Sequence, residues 1–394
     1  MQIYLDYSAT TPPRLEVIAK VQEVLTTSWG NPSSLHDWGA RSATIVETAR
    51  FKVADLINCP NPDSIIFTAG GTEADNLAIM GVARLYDFPQ HLIISSVEHS
   101  AINEPVKQLE KRGWEITRLP VNHQGRVNPE DLKAALKANT VLVSIIYGQS
   151  EVGTLQPIEE LGKICRSRNV LFHTDAVQVV GRLPIDVTTL PVDLLSMSSH
   201  KIYGMQGIGA LYLRQGVNLI PLIGGGGQEF GLRSGTQAVA AIAGFGVAAE
   251  LAQQELKQES ERLRSLRDRL FDLLADCSCL IPTGDRLHRL PHHVSFCVDT
   301  TIKSKCCGST LVRQKTITGK TFVRELNLAG IGISSGSACH SGKLNPSPIL
   351  TAMGYSEEIA KGGIRLTLGK ETTEADIDWT ALVLKQILLR LIDK

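Results

Sequence analysis

The 394-residue chain is predicted to be an α/β protein, with a mainly parallel sheet flanked by helices on both faces and a smaller α+β unit after it. Three observations carry this prediction. From about 64 to 213, short apolar runs alternate with longer amphipathic segments. Those runs are apolar throughout rather than alternating, as strands buried on both faces require. After Gly235 the rhythm changes to a long stretch without proline, and then to mixed strand and helix patterns.

Taken in order, the buried strands are read at Ile65-Ile66-Phe67, Leu92-Ile93-Ile94, Val141 to Ile146, Val170-Leu171-Phe172 and Leu194-Leu195. Helices are read near 73–86, 101–112, 129–138 and 157–168. A long helix over about 236–275 leads out of the sheet. Beyond it, strand-like pieces at 293–298, 330–334 and 364–368 and a helix at 373–392 make up the smaller unit. Residues 301–320, basic and unpatterned around Cys306-Cys307-Gly308-Ser309, are read as an exposed loop. The glycines at 224–227, with no buried strand before them and no Lys after, are also assigned to a loop.

Forty Lys and Arg balance forty Asp and Glu, so the surplus of positive charge that nucleic acids and anionic membranes attract is missing. No run of about 18 apolar residues and no basic-then-apolar leader is present, so a cytoplasmic protein with neither membrane nor nucleic-acid partner is expected. Eight cysteines without a C-x-x-C pair read as reduced thiols, not as a disulfide framework or metal centre.

Candidate chemistry gathers at strand ends, where ligands of open α/β sheets bind. One strand runs into His173-Thr174-Asp175-Ala176-Val177-Gln178, and the next into Ser198-Ser199-His200-Lys201. Asp175 and Lys201 then face one cleft, either as an ordinary salt bridge or as working groups. Thr68-Ala69-Gly70-Gly71-Thr72-Glu73 is a strand, a glycine turn and a helix start. That arrangement suits an anion such as phosphate and equally a tight connection. A further strand ends at Glu98-His99. Cys59, Cys165 and Cys297 lie in apolar settings and read as packing residues, whereas Cys339 lies among small polar residues where a thiolate is reachable. Arg365 alternates with Ile364, Leu366 and Leu368, which puts it on the opposite face of a strand as a fork for a carboxylate or as a solvated arginine. Together these residues offer what pyridoxal phosphate requires: a lysine, a carboxylate for the pyridine nitrogen, a donor to the phenolate oxygen, an aromatic over the ring and a phosphate cup.

The chain resembles the cysteine desulfurases of the IscS and NifS group. The similarity is carried by Tyr4-Leu5-Asp6-Tyr7-Ser8-Ala9-Thr10-Thr11-Pro12, Gly30-Asn31-Pro32-Ser33-Ser34, Glu98-His99, the Asp175 to Gln178 segment, Ser199 to Gly204, Arg233-Ser234-Gly235-Thr236 and Ser335 to Cys339. The resemblance implies fold type I of the pyridoxal-phosphate enzymes, with a large domain over 15–254. Residues 1–14 and 255–394 would form a small domain carrying the Cys339 loop. It makes Lys201 the Schiff-base lysine, Asp175 the partner of the pyridine nitrogen, Gln178 the donor to the phenolate oxygen and His99 the stacked ring and a manager of thiol protons. Thr72, Ser198 and His200 would hold the phosphate, with Thr236 reaching in from the second subunit of a homodimer. Asn31 and Arg365 would bind the substrate carboxylate, and Cys339 would accept sulfur. The implied reaction turns L-cysteine into L-alanine and leaves a persulfide for a sulfur acceptor or an iron–sulfur scaffold protein.

An aminotransferase or β-lyase of the same fold, or a non-catalytic sulfur-transfer scaffold, is the competing expectation. Gln149-Ser150-Glu151 departs from the group's usual Asn-Asn-Glu, and the 301–320 stretch is longer and more basic than its counterpart.

Overall fold

A computed structural model describes residues 2–299, 317–336 and 345–392. The readings of Cys306, Cys307 and Cys339 concern residues outside these ranges. A seven-stranded sheet dominates, in the spatial order Ile65–Thr68, Gly209–Leu213, Leu194–Ser198, Leu171–Asp175, Thr140–Ser144, His91–Ser95 and Glu115–Leu119. Only Gly209–Leu213 runs against its neighbours. Ile65–Thr68, His91–Ser95 and Leu194–Ser198 are buried from end to end, which explains the apolar runs in them. Glu115–Leu119 lies at the sheet edge with mostly part-exposed or exposed side chains, and its sequence carries no such run.

Helices cover both faces. On one face Gly71–Ala83, with ten of its thirteen residues buried, packs beside Ser100–Lys111. On the other, Asp37–Leu56 lies against the helix Val239–Leu273. The approach between these two is close: a β-carbon at Gly246 would fall 2.7 Å from the Ala49 Cα. Glycine is what lets the two backbones meet there. Val239–Leu273 runs 35 residues, and its far end contributes Leu263, Leu266, Leu270 and Phe271 to a second core.

That second core also holds Ile3, Leu5, Val294, Phe296, Ile331 and Leu366. It is covered by an antiparallel sheet in the order Ser334–Ser335, Gly363–Thr367, His293–Val298 and Leu280–Pro282. Ile3–Tyr4 pairs in parallel with Ile331–Gly332. One correction is needed within 301–320. Ile317 is buried and the helix Gly319–Leu328 begins inside the segment read as loop. Its apolar face, Phe322 and Leu326, packs on the second core, a tertiary contact that the local run of charges hid.

A buried ion pair fixes the approach to the sheet edge. Arg50, 1% exposed, donates to the Glu229 carboxylate at 2.7 Å and to the Ile65 carbonyl at 2.6 Å, and its guanidinium lies 4.8 Å from the Phe67 ring centre. Glu229 also accepts from the Phe67 amide and the Gln237 side chain. Glu229 and Phe230 hold positive φ angles of 48° and 56°, a conformation costly for side-chain-bearing residues. The ion pair and these hydrogen bonds hold the turn in place. Arg50→Leu strands a buried carboxylate and is expected to cost about 3–5 kcal/mol of stability. Denaturant unfolding measures this, and an unchanged midpoint would contradict the role given to the pair.

Candidate functional site

Five strands, Ile65–Thr68, His91–Ser95, Thr140–Ser144, Leu171–Asp175 and Leu194–Ser198, run in one direction and end on one edge. The segments leaving those strand ends build the site. After Thr68 the chain turns through Gly70, whose φ of +155° suits glycine and whose β-carbon position is open. The helix then starts at Gly71, where an added β-carbon would sit 2.7 Å from Val177 and 3.5 Å from Ser198. Glycine therefore sets the first turn, which bears Thr72, down beside Ser198. The first amides of a helix have no partner within it, and the dipole there favours an anion.

After Ser95 the chain reaches His99, which caps the next helix by accepting from the Ala101 amide at 3.2 Å. Asp175 closes its strand at 5% exposure and accepts from the Val177 amide at 3.0 Å. One ring nitrogen of His99 and one carboxylate oxygen each of Asp75 and Asp175 lie within 4.8 Å of one another. Below them His173 is fully buried, bonded to Ser144 at 2.8 Å and Ser196 at 3.0 Å, and lies 3.7 Å from Asp75. Burial lowers its pKa to about 3, so this ring is a neutral spacer.

Burial raises the pKa of Asp175, opposed by the charges of His99 and Lys201. It raises that of Asp75 further, and the Asp175 charge adds to it. One oxygen of Asp75 has no hydrogen-bond partner. Two carboxyls this close in a dry setting do not both ionise without a cation between or beside them. A pyridinium N–H held at Asp175 would be such a cation. With the anion-accepting helix start on the same edge, these residues fit pyridoxal phosphate.

Lys201 lies on the short turn Ser199–Lys201, one strand over from Asp175. Its amine donates to the Ser8 carbonyl at 2.6 Å and the Ala9 carbonyl at 2.7 Å. Gln178 donates to the same Ser8 carbonyl at 2.9 Å, and His200 bonds Thr10 at 3.0 Å. The segment Ser8–Thr10 is thus the common partner of Lys201, Gln178 and His200. Burial, with Lys201 adding, lowers the His200 pKa to about 4.

Arg365 donates to the Ser150 carbonyl at 3.0 Å and to Asp6 at 2.6 Å. Asn31 is exposed and its side-chain oxygen accepts from the Ser33 amide. Thr236 is exposed as well, three residues beyond Arg233, which pairs with Glu73 at 2.9 Å. Cys59, Cys165 and Cys297 are buried free thiols, and burial raises each pKa.

Asp75, Glu98, Glu151 and His173 were not singled out from sequence, although Glu98, Glu151 and His173 stand in quoted segments. Glu98 bonds Ser95 at 2.5 Å and the Ile146 amide at 2.9 Å, and burial raises its pKa to about 8. Nothing local distinguishes such buried carboxyls from surface ones. Among the described residues no helix is long and apolar enough to cross a membrane.

The family model for class-V aminotransferases matches residues 3–379. A protein named cysteine desulfurase IscS from Dictyoglomus turgidum is 45% identical over 99% of this chain and 95% of its own length. A solved NifS-like protein superposes with a TM-score of 0.89 at 34% identity, covering 98% of this chain and 99% of its own. The solved structure titled SspA in complex with cysteine gives a TM-score of 0.79 at 32% identity, over 93% of this chain and 99% of that one. With the strand order, the edge of the sheet and these full-length similarities in agreement, the chain belongs to the class-V aminotransferase family, and within it to the cysteine desulfurases.

Proposed function

We propose that this enzyme, a pyridoxal-phosphate-dependent cysteine desulfurase, carries out its reaction at the strand-end edge between Asp175, Lys201 and the Gly70–Thr72 turn. The observation that supports this best is that Asp175 ends one strand and Lys201 lies on the short turn that follows its neighbour, with a helix start suited to an anion on the same edge. Lys201 would carry the cofactor, Asp175 would face its ring nitrogen, Gln178 its phenolate oxygen and His99 its ring face. Thr72, Ser198 and His200, with Thr236 of a second copy, would hold its phosphate. When bound, the cofactor takes up the charge left on the substrate carbon.

The residues supply the rest. Arg365, with Asn31, holds the carboxylate of L-cysteine in a fork. The Lys201 amine accepts the proton from Cα. His99, beside both Asp75 and Asp175, is suited to carry thiol protons. Cys339 as thiolate attacks the substrate sulfur; the carbon–sulfur bond breaks as the sulfur–sulfur bond forms, its electron pair stays with the β-carbon, which takes up a proton, and Cα regains the proton held at Lys201, so that the products are a Cys339 persulfide and L-alanine. A sulfur-acceptor or iron–sulfur scaffold protein then takes the sulfur. We place the enzyme in the cytoplasm, where thiols stay reduced; the five described cysteines that are buried are all free.

Asp175→Asn tests the ring-nitrogen role. The amide keeps the shape and cofactor retention but not the charge, so alanine formation is expected to fall at least about 100-fold. Cofactor absorbance and kcat together measure this, and undiminished turnover would count against the assignment.

We also propose a homodimer. Trp29, Leu35, Trp38 and Phe51 are large apolar side chains left exposed on and before the helix Asp37–Leu56. Arg50 connects this helix to the exposed ring of Phe230, 5.1 Å away, on the segment that leads to Thr236. Apolar exposure on this scale fits an interface. Sedimentation is expected to give a dimer; a fully active monomer would refute the shared phosphate cup.

A further inference from the structure

The segment Tyr4 to Pro12 contains one acidic residue, Asp6, and the reaction described above gives it no task. Its carboxylate accepts from one terminal nitrogen of Arg365 at 2.6 Å, while the other terminal nitrogen donates to the Ser150 carbonyl at 3.0 Å. The Nε–H of the same guanidinium is enclosed by the fold and has no hydrogen-bond partner among the described residues. Arg365 therefore holds one carboxylate already and keeps donors for another. The two side chains are only 13% and 20% exposed, so water and salt screen their charges weakly.

Neither backbone depends on this ion pair. Arg365 sits in the middle of Gly363–Thr367, paired with Ser295 on one side and Ser334 on the other. The Asp6 carbonyl accepts from the Ala9 amide at 2.9 Å and the Tyr4 hydroxyl at 3.0 Å. On either side of Asp6 the chain is bonded to Thr367, whose amide donates to the Leu5 carbonyl at 2.8 Å and whose hydroxyl accepts from the Ser8 amide at 2.9 Å. A carboxylate delivered to the fork by a backbone fixed on its own acts there through its charge.

We propose that Asp6 is a counter-charge to the substrate carboxylate: by sharing Arg365 it weakens the hold on any α-carboxylate bound there, and so lets the product leave. This rests on the reading of Arg365 as the carboxylate fork. L-cysteine and L-alanine present the same carboxylate, so a fork that gripped one tightly would grip the other as tightly. Such uniform binding lowers KM without helping the chemical step. An incoming carboxylate either shares the guanidinium with Asp6 or displaces it. In the first case the two anions repel, and in the second an ion pair is broken, so both courses reduce affinity.

The test uses the cofactor-loaded enzyme and reads ligand binding by the change in cofactor absorbance. L-alanine is compared with ethylamine, which is L-alanine without its carboxylate. Asp6→Asn keeps the shape and an acceptor oxygen for Arg365 but removes the charge. It is expected to bind L-alanine at least about fivefold more tightly while ethylamine affinity stays within about twofold, and L-alanine is expected to become a correspondingly stronger competitive inhibitor of cysteine turnover. Asp6→Glu, which restores the charge, is expected to bind L-alanine about as weakly as the unsubstituted enzyme. Unchanged or weaker L-alanine binding in Asp6→Asn, an equal change for ethylamine, or tight binding in Asp6→Glu would overturn the proposal. Arg365→Ala checks the reading beneath it: L-alanine affinity is expected to fall at least about 10-fold, and an unchanged affinity there would overturn the fork itself, whatever Asp6→Asn does.

Discussion

Lys201→Ala is expected to abolish cysteine turnover, a loss of at least about 10³-fold, because in the proposed reaction both the attachment of the cofactor and the removal of the Cα proton fall to one amine. The fold is expected to survive. Lys201 is half-buried, and its amine bonds the carbonyls of Ser8 and Ala9, which accept equally well from water when the side chain is cut back. Borohydride reduction of the native enzyme followed by peptide mapping checks the same residue without mutation. The pyridoxyl label is expected on Lys201, and a label on any other lysine would sink the assignment.

Cys339→Ser is expected to be nearly as damaging by a different route. The variant keeps the cofactor colour and binds cysteine, because Lys201, Asp175 and Arg365 are untouched. It is expected to make no alanine catalytically, because a hydroxyl does not provide the sulfur nucleophile that the substrate sulfur needs. Cys306→Ser and Cys307→Ser are expected to leave turnover within about twofold, since the proposed reaction uses neither thiol. Steady-state alanine formation separates the three. Normal turnover in Cys339→Ser would point to an aminotransferase or β-lyase course that uses no enzyme thiol.

The parts of the fold legible in sequence were those in which burial leaves a local mark. Ile65 to Phe67 and Leu92 to Ile94 are apolar because both faces of the sheet are covered. The observed helix Val239–Leu273 matches the Pro-free stretch to within three residues at each end. Glu115–Leu119 left no such mark because four of its five residues are exposed or part-exposed, whereas Ile65–Thr68, at the opposite edge of the sheet, is buried throughout. Helices Leu15–Thr27 and Asp37–Leu56 were missed for a related reason: each buries only part of its surface, chiefly against Val239–Leu273, and at one close point of that contact the small residue Ala49 meets Gly246. The helix from Gly319 was hidden because its start falls at the end of the basic, unpatterned run of sequence and its contact through Phe322 and Leu326 is with distant residues.

The site obeys the same rule. Asp175, Lys201 and His99 were visible because polar residues ending apolar strands are conspicuous. Asp75 and Glu151 were not, since a carboxylate in sequence gives no sign of being buried. Their settings come from distant segments: His173 beneath Asp75, and Gly336 and Ser347 around Glu151. The hold of Ser8 on Lys201 and Gln178 spans 193 and 170 residues. Only the folded chain brings those groups together.

The most direct test of the account is the location of sulfur after one turnover. Enzyme mixed with a single equivalent of L-cysteine and digested without reductant is expected to show one added sulfur on the peptide containing Cys339, matched by one equivalent of L-alanine. Added sulfur on Cys306 or Cys307, or alanine released with no sulfur retained on the enzyme, would contradict it.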